Sequence, residues 1–253
     1  MQIMYDIIEK WEKRKMTNKT YRQERKSLLT KAKAVLLEQR IAAVLPLDDH
    51  ASQDGTYRIR SIYFDTVANS AYQEKNMGIS DREKIRLRFY GVNPSTVKLE
   101  KKEKRENLIH KEVILINRET AEAMMKGDFT MLLYYDAPLA KEVYAKAMAT
   151  GLVPVVVVDY LRKAYVYPTA SVRITFDYEL SAEITSENMW TPNECYDVIG
   201  NNVILEVKFN KYLPTHIKEL VSSVPGAKIA LSKYVMCRDS LREKHGYLVG
   251  GKV

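Results

Sequence analysis

The sequence predicts a single α+β domain: a closed eight-stranded antiparallel β barrel with helices on its outside. Roughly eight segments alternate charged and apolar residues, as half-buried strands do. The charged faces recur along the chain, and closing the sheet around them leaves no free strand edge. The 253-residue chain contains no repeat, low-complexity tract or convincing linker. One domain is therefore predicted over residues 1–253.

The first half of the chain mixes helical and strand patterns. Residues 1–19 carry Ile3, Ile7, Ile8 and Trp11 on one helical face, which predicts an N-terminal helix that caps the fold. The elements predicted next are a strand from Tyr21 to Leu29, a helix from Thr30 to about Val44, a strand from Tyr57 to Phe64, and a helix that Asp65 caps and that runs to about Glu74.

The second half is richer in strands and ends in helices. Gly91-Val92-Asn93-Pro94 has the composition of a tight turn, and Gly151 fits a helix C-cap. The predicted elements are strands at Arg82 to Tyr90, Thr96 to Lys104, Ile109 to Ile116, Val155 to Tyr167, Ser171 to Ile184 and Val203 to Phe209, helices at Arg118 to about Lys126 and Pro138 to Thr150, and a mostly helical tail over about 214–244.

Charged residues occupy every second position in five predicted strands. These stretches are Arg22/Glu24/Lys26, Lys84/Arg86/Arg88, Lys98/Glu100/Lys102/Lys104, Arg173/Thr175/Asp177 and Glu206/Lys208. Side chains two residues apart project from the same face of a strand. Packing so many cations into an interior without an anion carries a heavy desolvation and repulsion cost. The recurrence therefore predicts a basic cavity that binds phosphates.

The overall composition fits an acidic ligand and a cytoplasmic protein. Lysine and arginine number 40 against 32 acidic residues, a net charge of +8, which favours polyanionic partners. Cys195 and Cys237 form no metal motif and are interpreted as reduced thiols. Acidic residues interrupt the N-terminal apolar run, so no signal peptide is expected. The longest apolar stretch, residues 153–158, is too short to cross a membrane.

Arginine and lysine bind phosphate in different ways, and both recur on these faces. Arginine offers a planar, bidentate donor fork, and lysine a mobile point charge. The candidate phosphate ligands are Lys84, Arg86 and Arg88 on one strand and Lys102, Lys104, Arg162 and Arg173 on its neighbours. Carboxylates on the same faces would hold Mn²⁺ or Mg²⁺, which take oxygen ligands. Glu206 is the first candidate metal ligand, followed by Glu24 and Glu100.

Each of these patterns has a simpler interpretation when taken alone. Lys84-x-Arg86-x-Arg88 is typical of the solvated side of an amphipathic strand, and Glu206-x-Lys208 of a cross-strand salt bridge. The four histidines lie in unrelated contexts and predict no metal site. The functional interpretation therefore depends on the recurrence of one pattern across several strands.

An ordered set of motifs resembles a known family. The motifs are Tyr21-Arg22-Gln23-Glu24-Arg25-Lys26, Arg60-Ser61-Ile62-Tyr63-Phe64-Asp65-Thr66, Lys84-Ile85-Arg86-Leu87-Arg88-Phe89-Tyr90-Gly91, Leu99-Glu100-Lys101-Lys102, Val172-Arg173-Ile174-Thr175-Phe176-Asp177, Leu205-Glu206-Val207-Lys208 and Ser232-Lys233-Tyr234. Together they resemble the catalytic domain of the vacuolar transporter chaperone (VTC) family. This domain belongs to the triphosphate tunnel metalloenzymes, which include the CYTH proteins.

The resemblance implies an eight-stranded tunnel barrel that binds a triphosphate with Mn²⁺ or Mg²⁺. It implies synthesis of inorganic polyphosphate from ATP, with release of ADP. By motif match, the residues that would bind triphosphate or product are Lys26, Arg86, Arg88, Lys102, Arg162 and Arg173, with Lys84, Lys104, Lys208 and Ser232 as further ligand contacts. Glu206 would hold the metal, and Lys233 would line the tunnel mouth or contact phosphate.

The chain also departs from the patterns of its relatives. The eukaryotic catalytic subunits carry a lysine where this chain has Ala230, and Lys228 lies nearby but out of register. The first strand has Arg22-x-Glu24-x-Lys26 in place of the Glu-x-Glu-x-Lys of CYTH proteins. This difference argues against the adenylate cyclase and thiamine-triphosphatase branches. We expect a stand-alone, bacterial-type version of the domain.

Four functions remain open from the sequence. The first is an ATP-dependent polyphosphate polymerase, and the second is a hydrolase of tripolyphosphate or nucleoside triphosphates that uses the same cations and metal. The third is a non-catalytic module that binds polyphosphate. Nucleic-acid binding comes last, because the sequence carries no recognised nucleic-acid motif.

Overall fold

The described part of the protein is built on one antiparallel sheet. The computed structural model describes residues 23–49, 54–91, 94–106, 108–185, 189–210, 212–228 and 231–246. The strands are β1 Gln23–Thr30, β2 Thr56–Thr66, β3 Arg82–Tyr90, β4 Thr96–Arg105, β5 Leu108–Asn117, β6 Leu152–Tyr167, β7 Val172–Glu183, β8 Tyr196–Asp197, β9 Asn202–Phe209 and β10 Ala227–Lys228. Their order across the sheet is β10-β1-β9-β7-β6-β2-β3-β4-β5, with β8 paired to β7.

Helices complete an α+β fold, as the sequence predicts. They are α1 Lys31–Ala42, α2 Ser70–Asn76, α3 Arg118–Met125, α4 Pro138–Thr150, α5 Thr215–Ser222 and α6 Lys233–His245, with short 3-10 helices at Thr130–Tyr134 and Pro168–Ala170. Gly151 ends α4 in the left-handed conformation, with φ of 62°, which glycine adopts without strain. None of the described helices is long and apolar enough to cross a membrane.

Among the described strands, backbone hydrogen bonds do not close the sheet into the predicted barrel. Eight of the described strands are longer than two residues, which matches the predicted number. However, β5 and β10 stand at opposite ends of the sheet and do not pair within the described chain. Lys102 Nζ of β4 nevertheless lies 3.5 Å from Glu24 Oε2 of β1. The sheet therefore curls until side chains near its two ends meet.

Apolar side chains lie on the outer face of the curled sheet, under the helices. Leu87 and Leu99 of neighbouring strands pack in one buried cluster with Met124 of α3 and Val143 of α4. A second cluster joins Leu37 of α1, among others, to the outer faces of β7 and β9. Burying apolar area of this kind contributes about 25 cal/mol per Å². The charged alternate residues are thereby directed to the concave inner face.

Some predicted elements differ from those observed. The predicted helix over 1–19 and the first residues of the first strand lie outside the described residues. The helical tail consists of two helices, α5 and α6, with β10 between them. Asp65 does not begin a helix: it lies in β2, and α2 follows Asn69, whose φ is 59°.

Asp65 still caps α2, although from a neighbouring strand. Its carboxylate accepts hydrogen bonds from the backbone N–H groups of Ala71 at 2.9 Å and Tyr72 at 3.1 Å. Tyr234 of α6 donates its hydroxyl to the same carboxylate at 2.5 Å. This one buried side chain therefore ties two helices to the sheet.

We predict that Asp65→Ala lowers the free energy of unfolding by about 2–4 kcal/mol, because two helix N–H groups and a buried hydroxyl lose a charged acceptor. Denaturant unfolding measures the loss. Asp128→Ala is the matched control, since Asp128 caps a backbone N–H at the surface. Equal losses in the two variants would contradict the role assigned to Asp65.

Candidate functional site: a cationic cavity

A cavity of about 360 Å³ lies inside the curled sheet. Its walls come from β1, β2, β3, β4, β5, β6 and β9, together with α2 and the start of α6. The lining residues are Glu24, Lys26, Tyr63, Lys75, Arg82, Lys84, Arg86, Arg88, Lys102, Lys104, Ile109, Tyr160, Arg162, Glu206, Lys208, Leu231, Ser232, Lys233 and Tyr234. Eleven of these side chains are cationic and two are carboxylates.

Twelve of the fourteen predicted site residues line this cavity. They are Lys26, Arg86, Arg88, Lys102, Arg162, Lys233, Lys84, Lys104, Lys208, Ser232, Glu206 and Glu24. Arg173 does not line it: this side chain pairs with Asp48 at 2.6 Å and donates to the Tyr57 hydroxyl at 2.8 Å. Glu100 lies buried behind Arg86 and also contacts Lys111 at 2.6 Å.

The cavity is also lined by residues that were not among the predicted site residues. Arg82 continues the alternation of Lys84, Arg86 and Arg88, so its position in the cavity could have been predicted from the sequence. Tyr63 and Tyr160 likewise alternate with inward-facing neighbours on their strands. Lys75 belongs to α2, and its approach to the cavity depends on how that helix packs on the sheet. No local pattern could have indicated this position.

The two central arginines of β3 are held differently. Arg86 donates from Nε to Glu100 at 2.7 Å and from a terminal nitrogen to the Tyr63 hydroxyl at 2.6 Å. Arg88 donates to the hydroxyls of Ser61 at 3.1 Å and Tyr160 at 3.3 Å. Arg88 forms no ion pair with a carboxylate among the described residues. Its charge is therefore the more available of the two for an anion.

A buried carboxylate orients two further cations. Asp177 accepts from Arg162 Nε at 2.6 Å and from a terminal nitrogen of Arg162 at 2.8 Å, and it lies 2.5 Å from Lys233 Nζ. Burial alone would raise the pKa of Asp177, but Arg162 and Lys233 outweigh it and hold the pKa below its usual range. Asp177 thus remains ionised and keeps both cations at the cavity wall.

Lys84 joins β3 to the start of α6. Its ammonium donates to Ser232 Oγ at 2.7 Å, and the same oxygen caps α6 by accepting from the backbone N–H of Val235. Burial, followed by the nearby charges of Lys102 and Lys26, lowers the pKa of Lys84 to about 7. Burial also lowers the pKa of Lys102, to about 8. Further positive charge in this cavity is therefore costly unless an anion compensates for it.

Two carboxylates, Glu24 and Glu206, lie among these cations on adjacent strands. Lys26 Nζ lies 2.5 Å from Glu24 Oε1. In the pairing of β1 with β9, Lys26 lies directly opposite Glu206. Burial would raise the pKa of Glu206, but Lys208 and Lys26 lead a group of cations that hold it well below its usual range. Burial and Glu206 would raise the pKa of Glu24, but Lys26 and Lys102 hold it below its usual range, so both carboxylates are ionised at neutral pH.

The donor set of these carboxylates fits a divalent metal ion. Lys208 Nζ contacts Glu206 Oε1, yet outside hydrogen-bond geometry, so this buried oxygen forms no hydrogen bond within the described residues. Thr175 Oγ1, the side chain in register with Glu206 on β7, is likewise buried without a hydrogen-bond partner there. Anionic and hydroxyl oxygens are ligands that Mg²⁺ and Mn²⁺ accept. Glu206 and Glu24 would hold such an ion.

A second group of carboxylates lies outside the cavity. Oxygen atoms of Glu83, Glu103 and Glu142 come within 4.8 Å of one another. Lys101 reaches into this group, 2.9 Å from Glu103 and 2.5 Å from Glu142, and Lys146 contacts Glu83. The cluster is an ion-pair network that joins α4 to β3 and β4.

Two solved structures resemble the chain at low sequence identity. A putative adenylate cyclase from Bacillus halodurans is 11% identical, with 83% of this chain and 92% of that chain covered and a TM-score of 0.48. The PH1819 protein from Pyrococcus horikoshii is 14% identical, with 89% and 100% covered and a TM-score of 0.48. The chain matches no curated protein sequence.

A family model, described as the VTC domain, matches residues 21–242. This match spans most of the chain and includes every residue that lines the cavity. The protein therefore belongs to the VTC domain family.

Proposed function

We propose that the protein is a metal-dependent polyphosphate polymerase that transfers the γ-phosphoryl group of ATP to a growing inorganic chain. One observation carries the proposal: eleven cations and two carboxylates line one cavity. A polyanion with many closely spaced charges compensates such a surface, whereas a single carboxylate or phosphate does not. Membership of the VTC domain family connects the chain with polyphosphate chemistry.

The cations are spaced to hold successive phosphates. Lys84, Arg86 and Arg88 follow one another on one face of β3, at intervals of about 7 Å along the strand. Arg162 and Lys233 approach from β6 and α6, held in place by Asp177. A triphosphate between these walls would be gripped along its length, with arginine forks as bidentate ligands.

Phosphoryl transfer in this cavity would depend mainly on positioning and charge. An oxygen of the terminal phosphate of the acceptor attacks the γ-phosphorus, the bond from that phosphorus to the β–γ bridging oxygen breaks, and ADP leaves. The attacking oxygen is already anionic, so no general base is needed. Arg86, Arg88 and Lys84 would stabilise the charge on the transferring group. A divalent ion held by Glu206 and Glu24 would neutralise charge on the phosphate oxygens.

Product analysis with ATP and Mn²⁺ tests the proposal. A ladder of long chains on a polyphosphate gel, with matching ADP, is expected. Free phosphate without chains would replace the polymerase by a triphosphate hydrolase that uses the same cations. Tight polyphosphate binding with neither product would identify a non-catalytic binding module.

Glu206→Gln is predicted to reduce turnover by about a hundredfold or more, because it removes an anionic metal ligand while keeping the volume of the side chain. Polyphosphate binding without metal should persist, since glutamine removes negative charge from the cavity. Steady-state rates and metal-free binding measure the two effects. Glu119→Gln, on the exposed surface of α3, is the control. Wild-type turnover by Glu206→Gln would remove this residue from the mechanism.

Arg86→Ala and Arg88→Ala are each predicted to weaken tripolyphosphate binding by about tenfold to a hundredfold, the effect of losing charge-assisted hydrogen bonds. Calorimetric titration measures the affinity. The two variants should differ in stability: Arg86→Ala leaves buried Glu100 with Lys111 only and should melt earlier. Lys218→Ala, on α5, is the matched surface control. Affinities equal to wild type in both variants would contradict the assignment.

Binding is predicted to take up protons. Lys84, with its pKa of about 7, is partly neutral at neutral pH, and a bound phosphate favours its charged form. Tripolyphosphate affinity should therefore fall as the pH rises through about 7. Calorimetry in two buffers of different ionisation heat, corrected for titration of the free ligand, measures the uptake. Lys84→Arg should show less uptake, and an unchanged uptake in that variant would exclude Lys84 as the source.

A further inference from the structure

Arg238 of α6 is a buried cation whose contacts are all with neutral groups of the described residues. The residue is 1% exposed. Its Nη2 donates to Asn69 Oδ1 at 2.5 Å and its Nη1 to the Tyr234 hydroxyl at 3.4 Å. Its Cζ also lies 5.7 Å from the ring centroid of Tyr72 and 5.9 Å from that of Tyr234. Burying a cation without a counter-ion costs free energy, and local costs of this kind are typical of functional sites.

The hydroxyl of Tyr234 is held between Arg238 and Asp65. It accepts a hydrogen bond from Arg238 and donates one to the Asp65 carboxylate. Burial, followed by the charge of Asp65, raises the pKa of Tyr234, so the phenol stays protonated and continues to donate. The residue is 2% exposed. With its hydroxyl fixed on two sides, the ring presents one face of constant orientation.

The Tyr234 ring contacts a lysine of the cavity wall. Lys84 Nζ lies 4.8 Å from the ring centroid and donates to Ser232 Oγ at 2.7 Å. An aromatic face stabilises the charged form of a lysine, and a hydroxyl oxygen that accepts from the ammonium does the same. Both contacts come from the first residues of α6 and its cap. The start of α6 therefore favours a charged Lys84.

The charged groups around Lys84 act in the opposite direction. After burial, the groups that most lower its pKa are Lys102 of β4, Lys26 of β1, Lys75 of α2 and Arg82 of β3. The carboxylates of the cavity wall, Glu24 and Glu206, have lysine partners of their own. The balance at Lys84 thus depends on how firmly α6 holds its two contacts.

We propose that Arg238 is a positioning residue for triphosphate binding: it fixes Tyr234, and through this ring it holds the Lys84 ammonium on the cavity wall. The inference deepens the proposed function and rests on it. Arg238 is not among the residues that line the cavity, so it acts through others. It also holds Asn69 at the start of α2, the helix that brings Lys75 to the cavity.

The test measures tripolyphosphate affinity by calorimetric titration from about pH 6 to about pH 9, for wild type and Arg238→Met. Methionine fills much of the buried volume, and apolar replacement of a buried cation is often tolerated. We expect the affinity at pH 7 to fall by about threefold to tenfold. The pH at which affinity starts to decline should move down by about half a unit, because a loosened ring no longer favours charged Lys84.

Three further variants isolate the effect. Arg242→Met is the matched control, since Arg242 lies one turn further along α6 with its side chain 52% exposed. Arg238→Lys keeps a buried cation and should retain most of the affinity. In a Lys84→Arg background, Arg238→Met should not move the pH profile, because arginine stays charged throughout this range. General loosening of α6 would not depend on residue 84 in this way.

A folded Arg238→Met protein with wild-type affinity at every pH would overturn the inference, and so would a weaker affinity with an unchanged pH profile. The same displacement in the Lys84→Arg background would also overturn it. If Arg238→Met does not fold, Tyr234→Phe decides, because it removes only the hydroxyl that Arg238 holds; a wild-type pH profile there would exclude the role. Failure of the wild-type protein to bind tripolyphosphate would instead reject the proposed function, and the inference with it.

Discussion

Repulsion between like charges on the concave face of the sheet is the constraint to which the rest of the structure adapts. Eleven cations share one cavity with two lining carboxylates, and Asp177 and Glu100 act from behind the wall. Such an interior does not favour folding by itself. The apolar clusters on the outer face, which bury the helices against the strands, supply the stability that holds these charges together. The repulsion that remains between the cations inside the cavity would be relieved by a bound polyanion.

Much of the architecture could be predicted from the sequence because period-two alternation reports directly which residues share a strand face. The alternation of charged and apolar residues from Arg82 to Tyr90 predicted the observed bounds of β3. The family resemblance added Ser232 and Lys233, and alternation within four strands selected nine of the residues that line the cavity. Alternation succeeded because the face on which a side chain lies depends only on its position within its own strand.

What the sequence could not predict depends on packing between distant segments. Arg173 and Glu100 share the inward face with the lining residues, but partners on other elements hold them away from the cavity. Lys75 reaches the cavity through the placement of α2, and Asp65 caps that helix from a strand. Closure of the barrel is not confirmed among the described strands for a related reason: a charged inner face requires curvature, but curvature alone does not pair the outermost strands.

The contact between Glu24 and Lys102 brings the two ends of the curled sheet together. This contact affects what the measured affinity of a ligand represents. An arriving phosphate does not meet a bare ammonium group at this point, since Lys102 already has a carboxylate as its counter-ion. Lys26, Arg162 and Lys233 are in the same situation. A phosphate that binds in the cavity would therefore share these cations with their carboxylate partners or replace those partners. Its binding constant measures the difference between two sets of ion pairs rather than the strength of either.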